Sequence, residues 1–155
     1  MRNLKIEELY AGSYVQMLFL DSVSFTSPML VAKVCKDGKV LLERMDNTSF
    51  ETDIKNICPI PIDERVLEGF GFVKVKGDNV WMKAFGDIRL TVGLRWSGGV
   101  QICRRCAISG RIACWNEEIR YIHELQRWWN DRVFFPYDVP MELKWRGIRE
   151  KKEEL

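Results

Sequence analysis

The chain has 155 residues, of which 46% are hydrophobic and 30% charged, and a net charge of +2. This balance predicts a soluble globular protein of one domain or two very small ones, and the charge disfavours a nucleic-acid-binding protein. No apolar run approaches the ~20 residues that cross a bilayer, and Glu7 and Glu8 stand where a secretory signal would be apolar. The five cysteines lack the spacing of a disulfide framework, which favours reduced thiols and a cytoplasmic location.

Residues 1–58 contain four candidate strands and are predicted to form a small β-barrel-like subdomain of SH3-like size. The clearest signal is Asp37-Gly38 between two apolar segments, because both residue types tolerate the positive φ of a hairpin turn. The second domain, 59–145, is predicted to open with an extended proline connector and a short helix. Residues 146–155 are almost all charged and are predicted to be a flexible tail.

Within the second domain, residues 72–115 are predicted to form an antiparallel β-meander with glycine-containing turns. Ile88 to Trp96 alternates apolar and polar residues, which is typical of a strand with one buried and one solvated face. A helix at 117–130, capped by Asn116, is predicted to cover the buried face with its apolar stripe. The predicted fold class is therefore α+β: an SH3-like β-barrel unit, a short helix, and an antiparallel meander packed by one C-terminal helix.

Cys103, Cys106, Cys114 and His123 have a loose resemblance to zinc-ligand spacing. Residues three apart on a strand point to opposite faces, so we predict no metal, and no cofactor is expected. His123 has two interpretations: an acid/base or phosphate-binding group, or a packed residue at the border of the helix stripe, which we favour. The sequence shows no nucleophile, phosphate-loop or metalloprotease motif, so we predict that the protein is not an enzyme.

Arg104 and Arg105 are adjacent on a predicted strand, so one of them should face the helix-covered side of the sheet. An arginine there needs an anionic partner, which is either Glu118 or Glu124 in a salt bridge, or a bound anion. Residues 89–120 contain six arginines, two tryptophans and only two acids, a mixture that suits a nucleotide or a protein partner. The predicted ligand-binding residues are Arg89, Arg95, Arg104, Arg105, Trp115, His123, Arg127 and Trp128.

Two motifs give the chain a resemblance to a known family. Residues 57–62 (ICPIPI) and the segment that follows resemble a "PIPLTEE…L…GF" connector and helix. Residues 119–126 (IRYIHELQ) resemble a "KYVHQLQNLY" motif, and residues 10–15 (YAGSYV) are similar to an "RIGNYV" start. The resemblance covers most of residues 9–145. The family consists of small uncharacterised proteins of Bacteroidota and of their phages and mobile elements.

The chain departs from the family pattern at three places. Glu124 replaces the usual glutamine, Trp128-Trp129 replaces smaller residues, and the strand with cysteines and arginines is not part of the pattern. The family has no established activity, so the resemblance implies a source among phages and mobile elements and leaves the ligand open.

The combined evidence leads to one expected function and two alternatives. We expect a non-catalytic phage or mobile-element protein that sequesters an anionic small ligand, such as a nucleotide immune signal, in the bacterial cytoplasm and so counters host defence. The first alternative is a protein-interaction inhibitor that blocks a host enzyme through a surface rich in tryptophan and arginine. A nucleic-acid accessory protein is the second, which the net charge disfavours. Self-association stays open, and no membrane partner is expected.

Overall fold

The structure, a computed structural model, describes residues 4–19, 24–75, 77, 79–95, 99–106, 108–132 and 141–147. Trp96 and the part of the predicted tail from residue 148 onward lie outside the described residues. The described part is mixed α+β, with ten strands in two antiparallel sheets and two α-helices. It divides into two compact units, one formed by Met1–Pro61 and Arg120–Arg132 and the other by Ile62–Ile119 and Val133–Leu155.

The first unit contains a five-stranded antiparallel sheet with strand order β4-β3-β2-β1-β5. The strands are β1 (Tyr14–Met17), β2 (Met29–Val34), β3 (Lys39–Glu43), β4 (Ser49–Asp53) and β5 (Ile57–Cys58). Asp37 and Gly38 have φ values of 64° and 71° between β2 and β3, so the predicted hairpin turn is confirmed. The core of this unit consists of apolar side chains: Leu4, Leu9, Val15, Met29, Val31, Val40, Leu42 and Ile57.

The helix predicted at 117–130 is shorter and begins later, because residues 112–117 form a strand. The observed helix runs over Ile122–Asn130. Before it, the chain returns to the first unit through a bridge between Pro61 and Tyr121. Glu124 closes the first turn, where its Oε1 accepts the Tyr121 N–H at 3.2 Å. The cap predicted at Asn116 is therefore wrong, because Asn116 lies in a strand and the helix begins after Tyr121.

The predicted packing of this helix on the second sheet is wrong, since the helix belongs to the first unit and contacts β1. Gln126 explains the contact. Its Oε1 accepts the Tyr14 N–H at 3.0 Å, and its Nε2 donates to the Gly12 carbonyl at 2.8 Å. These two hydrogen bonds require the helix to lie against the segment that contains Gly12 and Tyr14, whereas an apolar stripe alone could pack on either sheet. The predicted stripe is buried: Ile122, Leu125 and Trp129.

The second unit contains the other five-stranded antiparallel sheet, with strand order β10-β9-β8-β7-β6. Its strands are β6 (Val73–Lys74), β7 (Val80–Phe85), β8 (Ile88–Leu94), β9 (Val100–Cys106) and β10 (Ile112–Glu117). The predicted alternation along β8 is confirmed, because Leu90 and Val92 are fully buried and Arg89 is exposed. We call the side of this sheet that carries Leu90 and Trp81 the inner face and the opposite side the outer face.

A short helix, α1 (Glu64–Gly69), precedes this sheet, and we name the helix Ile122–Asn130 α2. Asp63 caps α1 as predicted, with its Oδ1 accepting the Val66 N–H at 2.8 Å. After α1 the chain turns at Gly71, whose φ of +88° lies in the left-handed region that glycine commonly adopts just beyond a helix end.

The segment 141–147 packs beside α1 and supplies apolar side chains to the second unit. The Trp145 ring meets the Phe70 ring edge-on, with centroids 5.0 Å apart. A Cβ atom on Gly69 would clash with that indole, so glycine is required there by packing. The Arg146 N–H also donates to the Gly69 carbonyl at 2.8 Å. The sequence predicted that the helix at 117–130 would supply apolar side chains to the second unit, whereas the segment 141–147 does so.

Candidate functional site

Arg89 and Arg105 lie side by side on the outer face of the second sheet. The register of β8 and β9 places them directly opposite each other, and both are exposed. Like charges at directly opposed strand positions are unfavourable. The same register pairs Arg104 with buried Leu90 on the inner face, where Arg104 is half-buried. The prediction that one of the two adjacent arginines faces inward is therefore confirmed.

The remaining predicted residues of this unit do not join the Arg89–Arg105 pair. Trp115 lies opposite Ile102, on the inner face of β10. Arg95 directly follows β8 and is exposed. An indole and the two opposed guanidinium groups on different faces of one sheet cannot share a small ligand, because the sheet itself separates them.

The other three predicted residues lie on α2 in the first unit. His123 is 1% exposed and its ring stacks on that of Tyr121 at 6.0 Å. Trp128 is also buried, and the Arg132 guanidinium lies 4.4 Å from its ring. Arg127 donates to the Glu7 carbonyl at 2.8 Å. His123 is therefore a core residue and not a border residue.

The cysteines of the second sheet differ from the prediction. Cys103 and Cys114 are paired across β9 and β10 and form a disulfide, so the expectation of reduced thiols is wrong for these two. Cys106 is free, and hydrogen bonds with Ser109 lower the pKa of its thiol. Burial has the opposite effect on Cys58 of the first unit and raises its thiol pKa. Among the described residues, no three histidine, cysteine or acidic side chains gather as metal ligands would.

A cavity of about 350 Å³ lies within the second unit, at the turn between α1 and β6. A volume of this size is in the range of sites for small organic ligands. Its described lining combines charged, apolar and backbone surfaces: Glu68, Gly71, Phe72, Val73, Lys74, Arg146 and Gly147. None of the predicted ligand-binding residues is among them.

Two cationic groups meet at Gly71 on the wall of this cavity. A Cβ atom placed on Gly71 would lie 2.9 Å from Lys83 Nζ and 3.8 Å from Arg146 Nε. Because Gly71 has no side chain, the Lys83 amine and the Arg146 guanidinium can both approach its backbone. Its φ of +88° is also a conformation that glycine adopts readily. Lys74 and Arg146 are the two cations among the described lining residues, and Lys83 contributes through its approach to Gly71.

The electrostatics of this site are unfavourable without a counter-charge. Burial, and then the nearby charge of Arg146, lower the pKa of Lys83. Both effects act against the charged amine. Lys83 also shares the inner face of β7 with buried Trp81 and Phe85, so its stem passes along apolar surface. Glu68 is the one acid among the described residues that line the cavity.

One signal in the sequence could have indicated Lys83. The segment Val80–Phe85 alternates, and a lysine stands between Trp81 and Phe85 on the side that should be buried. A lysine at such a position needs a functional or electrostatic reason. Arg146 carried no comparable signal, because the composition of the last residues assigned it to the charged tail.

Comparisons with known proteins returned no match: no family model, curated protein or solved structure is similar to the chain. The family resemblance of the two motifs thus stays a prediction. Across the described ranges, no helix is both long and apolar enough to cross a membrane.

Proposed function

We propose that the protein is a non-catalytic binding protein that captures an anionic small ligand in the cavity between α1 and β6. The observation that carries this proposal is the meeting of Lys83 and Arg146 at Gly71, on the wall of a ligand-sized cavity. Charge-assisted hydrogen bonds from a lysine and an arginine are the usual means of holding a phosphate or a carboxylate.

The charge balance of the cavity supports an anion over a neutral ligand. Lys74, Lys83 and Arg146 face one acid, Glu68, among the described residues at this place. Burial, and then repulsion from Arg146, lower the pKa of Lys83, and a bound anion would replace the water lost from the amine and offset that repulsion. Phe72 and Val73 supply apolar surface for the rest of the ligand.

The cavity fits a binding role without catalysis, because binding a ligand requires only complementary charge and shape. His123, the one imidazole of the chain, is buried and is not among the described residues that line the cavity. The lining includes no serine, threonine or cysteine among its described residues. These features favour a binding protein over a hydrolase or transferase.

The finer parts of the proposal come from the sequence. The ligand is a nucleotide immune signal, and the protein is a cytoplasmic product of a phage or mobile element that sequesters it and so blunts host defence. The support is the family resemblance together with a cationic cavity of nucleotide-compatible size. In the same proposal, the five antiparallel strands of the first unit are a small SH3-like barrel.

Isothermal titration calorimetry of the purified protein tests this proposal, with cyclic and linear nucleotides and inorganic phosphate as titrants. We expect heat with at least one nucleotide and at least tenfold weaker binding in Lys83→Gln and in Arg146→Gln, because each loses a charged hydrogen bond of about 1.5–3 kcal/mol. Matched controls are Lys39→Gln on β3 and Arg65→Gln on α1, which remove one charge elsewhere. Heat from no titrant, or equal affinity in all four variants, would reject the site.

The alternative is a protein-interaction inhibitor that acts through a surface of tryptophan and arginine. The tryptophan part has little support, because four of the tryptophans are buried: Trp81, Trp128, Trp129 and Trp145. The arginine part is favoured by the exposed Arg89–Arg105 pair. A pull-down from host lysate discriminates the functions: an equimolar protein partner without a released small molecule favours the alternative.

A further inference from the structure

The outer face of the second sheet has an apolar row that crosses all five strands. The registers align one residue from each strand, from β6 to β10: Val73, Met82, Thr91, Cys103 and Cys114. Val73 is 65% exposed at one end of the row. The Cys103–Cys114 disulfide forms the other end and joins the last two strands. The row is therefore mostly apolar, with Thr91 as its polar member, and a covalent bond joins two of its strands.

A second row runs beside the first and carries the like-charged pair. It aligns four residues across β7 to β10: Ala84, Arg89, Arg105 and Ile112. Arg89 and Arg105 repel each other across the strands, and Ile112 is 62% exposed. The repulsion and the exposed apolar side chain are each unfavourable in water. A partner with carboxylates would offset the repulsion, and its apolar side chains would cover Ile112.

The composition of this face matches that of protein interfaces. At the described outer-face positions of the five strands there are two arginines, a methionine, aliphatic residues, a glycine, the two bonded cysteines and the uncharged polar residues Thr91, Gln101 and Asn116, and no lysine, aspartate or glutamate. Arginine and methionine are enriched in protein–protein interfaces, whereas lysine and the acids are depleted. We propose that the outer face of the second sheet docks an acidic protein segment whose carboxylates pair with Arg89 and Arg105 and whose aliphatic side chains cover the apolar row.

A protein segment fits this face better than a nucleic acid. Sheet surfaces that bind single strands stack the bases on aromatic side chains. In this sheet the described aromatic residues Trp81, Phe85 and Trp115 lie on the inner face. The outer face therefore offers arginines for phosphates but no ring for a base.

Nuclear magnetic resonance titration of the full-length protein tests the proposal, with a short peptide of alternating glutamate and leucine as the probe. We expect amide shifts that map to β7–β10 and at least tenfold weaker binding when Arg89→Glu and Arg105→Glu are combined. The matched control is Arg65→Glu, which makes the same charge change on the exposed side of α1. If the double variant does not fold, Arg105→Gln alone should weaken the peptide several-fold.

Four results would overturn this docking surface. They are the absence of shifts on β7–β10, equal binding of a peptide with lysine in place of glutamate, tighter binding of a single-stranded oligonucleotide to the same residues, and self-association of the free protein through this face. Lys83→Gln should leave peptide binding unchanged. The peptide and nucleotide titrations can therefore fail separately, although Val73 belongs both to the apolar row and to the cavity lining.

Discussion

Lys83 shows how a single residue departs from the pattern of its strand. It stands on the inner face of β7 between two buried aromatic residues, Trp81 and Phe85. The alternation that places those rings in the core brings a charge to the same side, where burial and Arg146 lower its pKa. The lysine therefore carries an electrostatic cost in the unliganded protein that an anion would remove.

This lowered pKa predicts a pH-dependent affinity. Because the folded-state pKa of Lys83 lies below 10.5, the amine loses its proton, and the site loses a charge, as the pH rises toward that value. The electrostatic cost to stability is present below the folded-state pKa and disappears over the same interval. Phosphate affinity should therefore fall in this range in the parent protein and persist in Lys83→Arg, whose guanidinium stays charged. Calorimetry at stepped pH measures this, and parallel profiles for the two proteins would contradict the role of Lys83.

At the scale of elements, the boundary between β10 and α2 lies later in the chain than local sequence suggests. Asn116 and Glu117 were predicted to open the helix, yet they are the last residues of β10, which pairs with β9 over six positions. The Cys103–Cys114 disulfide fixes this pairing at its centre. A disulfide lowers the conformational entropy of the unfolded chain and therefore favours the folded state, in which β9 and β10 are paired.

Reduction of that disulfide should destabilise the second unit. Closing a loop with a sequence separation of 11 contributes up to about 3 kcal/mol in the chain-entropy model. We expect a lower urea midpoint for the second unit after treatment with a phosphine reductant, and the same decrease in the variant Cys103→Ala with Cys114→Ala. Cys106→Ala serves as the control, since its thiol is free. An unchanged midpoint in the reduced protein would show that the cross-link does not support β10.

At the scale of the whole molecule, the first unit is discontinuous along the chain. It combines Met1–Pro61 with Arg120–Arg132, and the second unit is inserted between these segments. The second unit is completed only later, by the segment 141–147 with the buried residues Met141, Leu143 and Trp145. The order of segments therefore decides which truncations are tolerated.

A chain that ends after Arg132 should keep the first unit and lose the second. The first unit retains all its segments, whereas the second loses three buried side chains, and the loss of one such aromatic residue alone costs about 3–5 kcal/mol. Amide resonances of β1–β4 should remain dispersed while those of β7–β10 collapse. Trp145→Ala in the full-length protein is the milder companion variant. Simultaneous loss of both sets of resonances would show that the two units fold as one.

The sequence by itself determined those features that depend on neighbouring residues. The Asp37-Gly38 turn, the Asp63 cap and the alternation of β8 each follow from backbone sterics, a local hydrogen bond or a two-residue period. The same period requires one of Arg104 and Arg105 to face inward, and the register of β8 and β9 shows that it is Arg104.

Only the tertiary structure decided which partners distant residues meet. The apolar stripe of α2 could cover either sheet, and the two backbone groups that Gln126 satisfies lie more than a hundred positions away. The cavity depends in the same way on Arg146 returning to Gly71. Apolar patterning specifies that a face is buried but not against what, because hydrophobic attraction has no direction, whereas hydrogen bonds and close packing select one partner.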